Sequence, residues 1–150
     1  MKRLRIIGYG ARFRRDDGAG LAAGRLLLES PPQGAEVLLA EGDGLDLLEK
    51  LKGAQKAVVI DAMRSGAAPG SVRLFRPLSR GLPKKGFALS THAVGLREAI
   101  ELGRGLGALP PSLSVYGIEG EDFSLGEGLT PKVEAAVRKL ARRLSGGGRA

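Results

Sequence analysis

A single-domain α/β fold with a mostly parallel sheet is the architecture this chain predicts, and three observations point to it. Short apolar runs without polar alternation recur along the chain, segments of helical period separate them, and 150 residues match the commonest size of one domain. Strands that are apolar on both sides need helices over both faces of their sheet. Residues 4–7 read as the first buried strand, ending at Gly8, and residues 21–29 as a helix stopped by Ser30-Pro31-Pro32. Residues 37–40 form the second expected strand, followed by Gly42-Asp43-Gly44 and a short helix over 45–51. Residues 57–60, Ala-Val-Val-Ile, are the clearest buried strand, expected to end in Asp61. Residues 71–75 alternate, as an edge strand or hairpin arm does. Ser90 or Thr91 is the expected cap of a helix reaching Gly103, with Leu96, Ile100 and Leu102 on its inner side. Residues 113–116 are the last strand. Thr130 then caps a helix opened by Pro131 and carrying Val133, Ala136, Val137, Leu140 and Leu144 inward, before a frayed tail from about residue 146.

Composition narrows the function classes. The chain has no cysteine, which excludes disulfides, thiolate metal sites and cysteine nucleophiles. No apolar run approaches the roughly 20 residues of a membrane span. The apolar stretch after the basic N-terminus stops at Gly8, too soon for a signal peptide, so the expected location is the cytoplasm. Asn is absent and Arg outnumbers Lys sixteen to eight. This bias fits a thermophilic source, and a high-GC genome gives much the same one. The net charge of +8 raises the question of nucleic acid, yet Phe13 is the only aromatic near either basic cluster, Arg12, Arg14 and Arg15 or the C-terminal helix. Single-strand binders interleave basic residues with stacking aromatics, so no nucleic-acid partner is expected.

Ligands of open α/β sheets gather outside the carboxyl ends of the strands. Gly8-Tyr9-Gly10 follows the first strand, but a dinucleotide fingerprint needs glycine where Phe13 stands, and Asp16 and Asp17 would repel a phosphate. Asp17, Asp61 and the single histidine, His92, follow three separate strands or their loops at this edge. Two carboxylates and an imidazole suit a divalent ion such as nickel or zinc, with positions left open. A lone acidic pair is equally suited to capping a helix, an Asp to filling a turn, and a lone His to a structural role. No serine nucleophile elbow and no paired-histidine zinc helix is present.

Four segments in order resemble the hydrogenase maturation endopeptidases, cytoplasmic proteases that trim the C-terminal extension of nickel–iron hydrogenase large subunits after nickel insertion. They are Gly8-Tyr9-Gly10 through Asp16-Asp17-Gly18-Ala19-Gly20; Val59-Ile60-Asp61-Ala62 with Pro69-Gly70; Ser90 to Ala99 around His92; and Val115-Tyr116-Gly117-Ile118 with Gly128 to Val133. The resemblance implies a monomeric three-layer α/β/α sandwich with a mostly parallel, twisted sheet. It implies that Asp17, Asp61 and His92 are the catalytic, metal-contacting residues, touching nickel of the substrate rather than a held ion. It further implies a hydrogenase large-subunit precursor as partner, and no organic cofactor. The chain departs from the family pattern at Ala11, where Asn is usual, and after the fourth strand, where Gln-Pro is often found. Two rival readings follow from these departures and from the charge: a relative that binds a metalloprotein tail without cutting it, and a small RNA-directed hydrolase.

Overall fold

The computed structural model describes residues 4–84, 86, 87 and 94–146. Five strands form one sheet in the order β2-β1-β3-β5-β4. They are β1 (Leu4–Gly10), β2 (Ala35–Glu41), β3 (Lys56–Met63), β4 (Val72–Phe75) and β5 (Ser112–Glu119). The first four in spatial order run parallel, and β4 pairs antiparallel with β5 at one edge. The helices are α1 (Ala19–Glu29), α2 (Gly44–Leu51), α3 (Pro77–Arg80), α4 (Leu96–Leu106) and α5 (Pro131–Leu144).

The pleat sends alternate residues of each strand to opposite faces. Ile6, Val58, Ile60 and Ile118 pack with α1 and α5 through Ala19, Ala23, Leu27, Val133, Val137 and Leu140. On the other face Ile7, Val59 and Val115 pack with Leu47 and Leu51 of α2 and with Leu96 and Ile100 of α4. Each such large aliphatic side chain contributes about 1.5–3 kcal/mol on burial, so both faces are closed as the unalternating strands require. Among the described residues, no helix is long and apolar enough to cross a membrane.

Several expected details change. β1, β2, β3 and β5 each extend beyond their apolar cores, because ladder hydrogen bonds continue through residues that carry no apolar signal. Asp61 therefore lies within β3, not at its end. Residues 71–75 are resolved as the edge strand β4, and Pro77–Arg80 adds a short helix that the periodicity did not announce. Helix α4 begins at Leu96 with Gly95 as its N-cap, where the Gly95 N–H donates to Glu98 Oε1 at 3.2 Å. The expected caps Ser90 and Thr91 lie outside the described residues. Leu102 is 41% exposed: at 100° per residue it points away from the line of Leu96, Ala99, Ile100 and Gly103.

Candidate active site

The opening motif is a close-packing device. The Gly10 Ala11 loop turns back on itself through Ala11 N–H donating to the Asp17 carbonyl at 3.1 Å, and a 3-10 turn, Arg15–Gly18, leads directly into α1. A Cβ on Gly20 would sit 2.1 Å from the Ile60 carbonyl oxygen and 2.2 Å from that of Tyr9. No side chain fits there, so glycine lets the start of α1 press against β1 and β3 together. A Cβ on Gly10 would likewise lie 2.4 Å from the Asp17 carbonyl oxygen. These contacts hold Asp17 over the carboxyl edge of the sheet beside Asp61.

The two acids of the pair at 16 and 17 part company. Asp16 is fully buried and accepts from the Glu121 and Asp122 N–H groups at 2.8 and 3.0 Å, the Thr130 N–H at 2.8 Å and the Thr130 hydroxyl at 2.8 Å. It caps no helix; it fastens the segment between β5 and α5 to the opening loop. The Thr130 side chain is thereby taken from the capping role expected of it, and α5 starts with no side-chain cap. Gly18, not an aspartate, occupies the N-cap of α1.

Asp17 is half-buried, and burial raises its carboxyl to about 6, with Arg14 opposing the rise. Asp61 is 6% exposed and is held well above the ordinary carboxylate range, first by burial and then by the charge of Asp17. Its Oδ1 accepts from the Ala62 N–H at 2.8 Å, which works against that rise. The register explains the position of Asp61. The β1–β3 ladder ends at Gly8 opposite Ile60, whereas β3 continues against β5 as far as Met63 opposite Glu119. Asp61 is thus the first residue of β3 beyond the β1 ladder, where the sheet opens toward the 3-10 turn.

Tyr9 completes the carboxylate-rich edge. Its phenol is held above its usual range by burial and then by Asp61, Asp17, Asp43 and Glu98. Its hydroxyl donates to the Gly42 carbonyl at 2.8 Å, and the Gly42 N–H donates to the Gly10 carbonyl at 2.8 Å. The Gly44 N–H in turn donates to the carbonyl of Val94, the first described residue after His92, at 2.8 Å. His92 itself lies outside the described residues. Among the described residues no group of three or more His, Cys, Asp or Glu is arranged to hold a metal ion; what the structure brings together is the pair Asp17 and Asp61.

Two members of this edge went unseen in the sequence. Tyr9 stands in the sequence as the middle of a glycine pair and carries no other signal. Glu119 ends β5 at the same edge, is 2% exposed, and accepts from the Ser65 hydroxyl at 2.6 Å and the Ser65 and Gly66 N–H groups at 2.8 and 3.2 Å. An acid closing an apolar strand was the available signal, the same one that singled out Asp61.

A sequence profile of the hydrogenase maturation protease family, HycI, matches residues 29–146, a span that includes Asp61 and His92 but begins after Asp17. The hydrogenase expression/formation protein HoxM of Azotobacter vinelandii is 30% identical over 144 residues, covering 89% of this chain and 68% of that protein. The HupD protein of Thiocapsa roseopersicina is 28% identical over 152 residues, covering 91% and 67% respectively. Among solved structures, the [NiFe] hydrogenase maturation protease HybD from Thermococcus kodakarensis superposes with a TM-score of 0.73 at 29% identity, covering 98% of this chain and 99% of that one. The hydrogenase maturating endopeptidase HybD from E. coli gives 0.74 at 25% identity, with 97% and 94% covered. With profile, relatives and fold in agreement, the chain belongs to the hydrogenase maturation proteases, a family of endopeptidases.

Proposed function

We propose that this protein removes the C-terminal extension of a nickel–iron hydrogenase large-subunit precursor once nickel has been inserted, and that Asp17, Asp61 and His92 contact the nickel held by that substrate. The observation that carries the reading is the desolvated pair Asp17 and Asp61, two acids brought together at the carboxyl edge of the sheet with their carboxyls raised. Ionising both in so dry a place is unfavourable by itself. A divalent cation arriving with the substrate offsets the repulsion and the lost hydration, so the site is better suited to a metal-loaded precursor than to an empty one. Oxygen donors and an imidazole suit nickel, and the substrate supplies the remaining ligands.

The chain's own contribution is positioning. The Gly20 contact sets the start of α1, and the turn bearing Asp17, against β3; the ladder end fixes Asp61, with Tyr9 on the neighbouring strand β1. Nickel within the substrate would supply polarisation of the scissile carbonyl or of a water beside it, and a carboxylate acting as general base on water is the other route. Asp17 and Asp61 would hold the substrate's nickel and so orient the neighbouring peptide bond. Ala11, where relatives often carry Asn, means that this chain orients the peptide without a side-chain amide at that position.

The deciding experiment incubates the protein with nickel-loaded and nickel-free large-subunit precursor from the same source and reads intact mass. One cut near the C-terminus of the loaded precursor alone is expected. Asp17→Asn, Asp61→Asn and His92→Ala should each abolish it while circular dichroism shows an intact fold. Full activity in all three would overturn the site assignment. Stable binding of precursor with no product on long incubation would favour the non-cutting reading.

A further inference from the structure

A second feature lies outside the carboxylate edge, between α1 and α5. A cavity of about 310 Å³ there is floored by Leu21, Leu26, Leu129 and Val137 and rimmed by Arg12, Arg15, Arg25 and Arg138. It begins at Gly18, the residue after Asp17. A second hollow of about 190 Å³ shares Leu26 and Arg138 with it and adds Arg142 farther along α5. The two adjoin at Leu26 and Arg138 as one furrow, apolar beneath and mostly cationic along its rim, where Glu134 is the one acid among the described residues.

The cations are only partly neutralised from within. Arg138 pairs with Glu134 at 3.3 Å and Arg12 with Glu41 at 3.1 Å. Among the described residues Arg25 and Arg142 have no ion-pair partner, and both are exposed. Arg15 is the most telling. Its backbone sits at φ +43°, a left-handed conformation unfavourable for a side-chain-bearing residue. Its Nε is buried without an acceptor, and Asp122 Oδ2 lies 3.7 Å away, beyond hydrogen-bond reach. Gly126 closes over this loop, its N–H donating to the Phe13 carbonyl at 3.0 Å while its own carbonyl accepts from Arg15 N–H at 3.0 Å. The two loops so joined carry Phe13 and Leu125, 58% and 73% exposed. The molecule thus holds a guanidinium in a strained place with a donor unspent, beside exposed apolar side chains.

We propose that this furrow docks an acidic, apolar-studded peptide segment of the substrate precursor, leading the polypeptide past Gly18 to Asp17. The proposal rests on the protease reading above. Charge complementarity selects the occupant: guanidinium forks match carboxylates, and the leucine floor matches aliphatic side chains. A nucleic-acid strand would match the rim but would find no stacking platform on an aliphatic floor.

The test combines precursor cleavage with direct binding. The double variant Arg25→Glu/Arg142→Glu changes exposed positions only and should keep its circular dichroism spectrum and melting temperature. Its KM for nickel-loaded precursor should rise about tenfold with kcat unchanged, as reversal of rim charges acts on encounter and docking. The wild type should bind a fluorescent peptide of alternating Glu and Leu, more weakly as salt rises, and should not bind its Lys–Leu counterpart. An unchanged KM in the double variant would overturn the furrow and leave the protease reading standing. If wild-type protein cuts no precursor, the protease reading fails, and the Glu–Leu peptide then decides the furrow alone: binding lost in the double variant supports it, and no binding overturns it. Tighter binding of a mixed-sequence single-stranded RNA than of the Glu–Leu peptide, through the same arginines, would also overturn it.

Discussion

Asp16 and Asp17 are neighbours in the chain and opposites in the fold. The region around Asp16 is a closed knot in which four donors aim at one carboxylate and tie two loops together. Around Asp17 and Asp61 the Ala62 N–H is the one donor to either carboxyl among the described residues, and the Tyr9 phenol is raised by burial and then by both acids. On the proposed function, this contrast separates an acid that serves the fold from one that meets the substrate. A carboxylate whose acceptors are filled has its burial compensated, and it serves the fold. A carboxylate left raised by burial is costly at neutral pH, and such cost is typical of positions kept for chemistry.

The largest effect that would break this comparison is catalytic. With Asp61 contacting the substrate's nickel as proposed, Asp61→Asn should lower the rate of precursor cleavage at least about 100-fold. Its thermal stability at neutral pH should hold or rise, because the amide has no charge to bury. A fast Asp61→Asn enzyme would sink the contrast.

Asp16→Ala is the mirror experiment. Four donors lose their acceptor at once, so a loss of about 3–5 kcal/mol is expected in denaturant unfolding. A melting temperature within a few degrees of wild type would show that the knot around Asp16 holds nothing together.

Gly20→Ala probes what the two regions share. The new methyl would meet two backbone carbonyls at 2.1 and 2.2 Å, and neither can move without shifting a strand. Destabilisation of about 3 kcal/mol is expected from overpacking of this severity, together with lost cleavage as Asp17 is displaced. Unaltered activity and stability would contradict the close packing of α1 on β1 and β3.

The smallest effects are those of pH. The carboxyl of Asp17 sits at about 6 in the fold against an ordinary 3.8. The folded protein therefore binds more protons than the unfolded chain between those values, so this group's contribution to stability falls as pH rises through that window. Asp17→Asn should remove the fall and stabilise the protein at pH 7 by about 1 kcal/mol, a figure discounted for the residue's partial exposure. Cleavage should run the other way, rising with pH through about 6 as Asp17 ionises to meet the cation. An activity profile flat between pH 5 and 7, in a window of about two units around that value, would separate Asp17 from the metal.

Much of this was legible in the residues themselves. The unalternating apolar runs determined a parallel sheet with two covered faces, because strands such as Ala57-Val58-Val59-Ile60 are stable only between two apolar layers. Pro131 after Thr130 marked the start of α5, since proline fits a first helical turn and no later one. The rule that ligands gather at the carboxyl edge of a parallel sheet singles out Asp17, Asp61 and His92; packing brings Asp17 and Asp61 to that edge, and His92 lies outside the described residues. The division of labour between like residues is set by packing. Nothing local distinguishes Asp16 from Asp17; the donors that fill Asp16 come from residues more than a hundred positions away. Thr130 has the local chemistry of a cap, yet its hydroxyl is turned to Asp16, because packing brings that carboxyl to within 2.8 Å. The extension of β3 through Asp61 depends on a ladder with β5, and the cationic furrow depends on α1 and α5 lying side by side. Burial and partner choice are properties of the packed whole, and they are what turn an acidic residue into a fastening or a site.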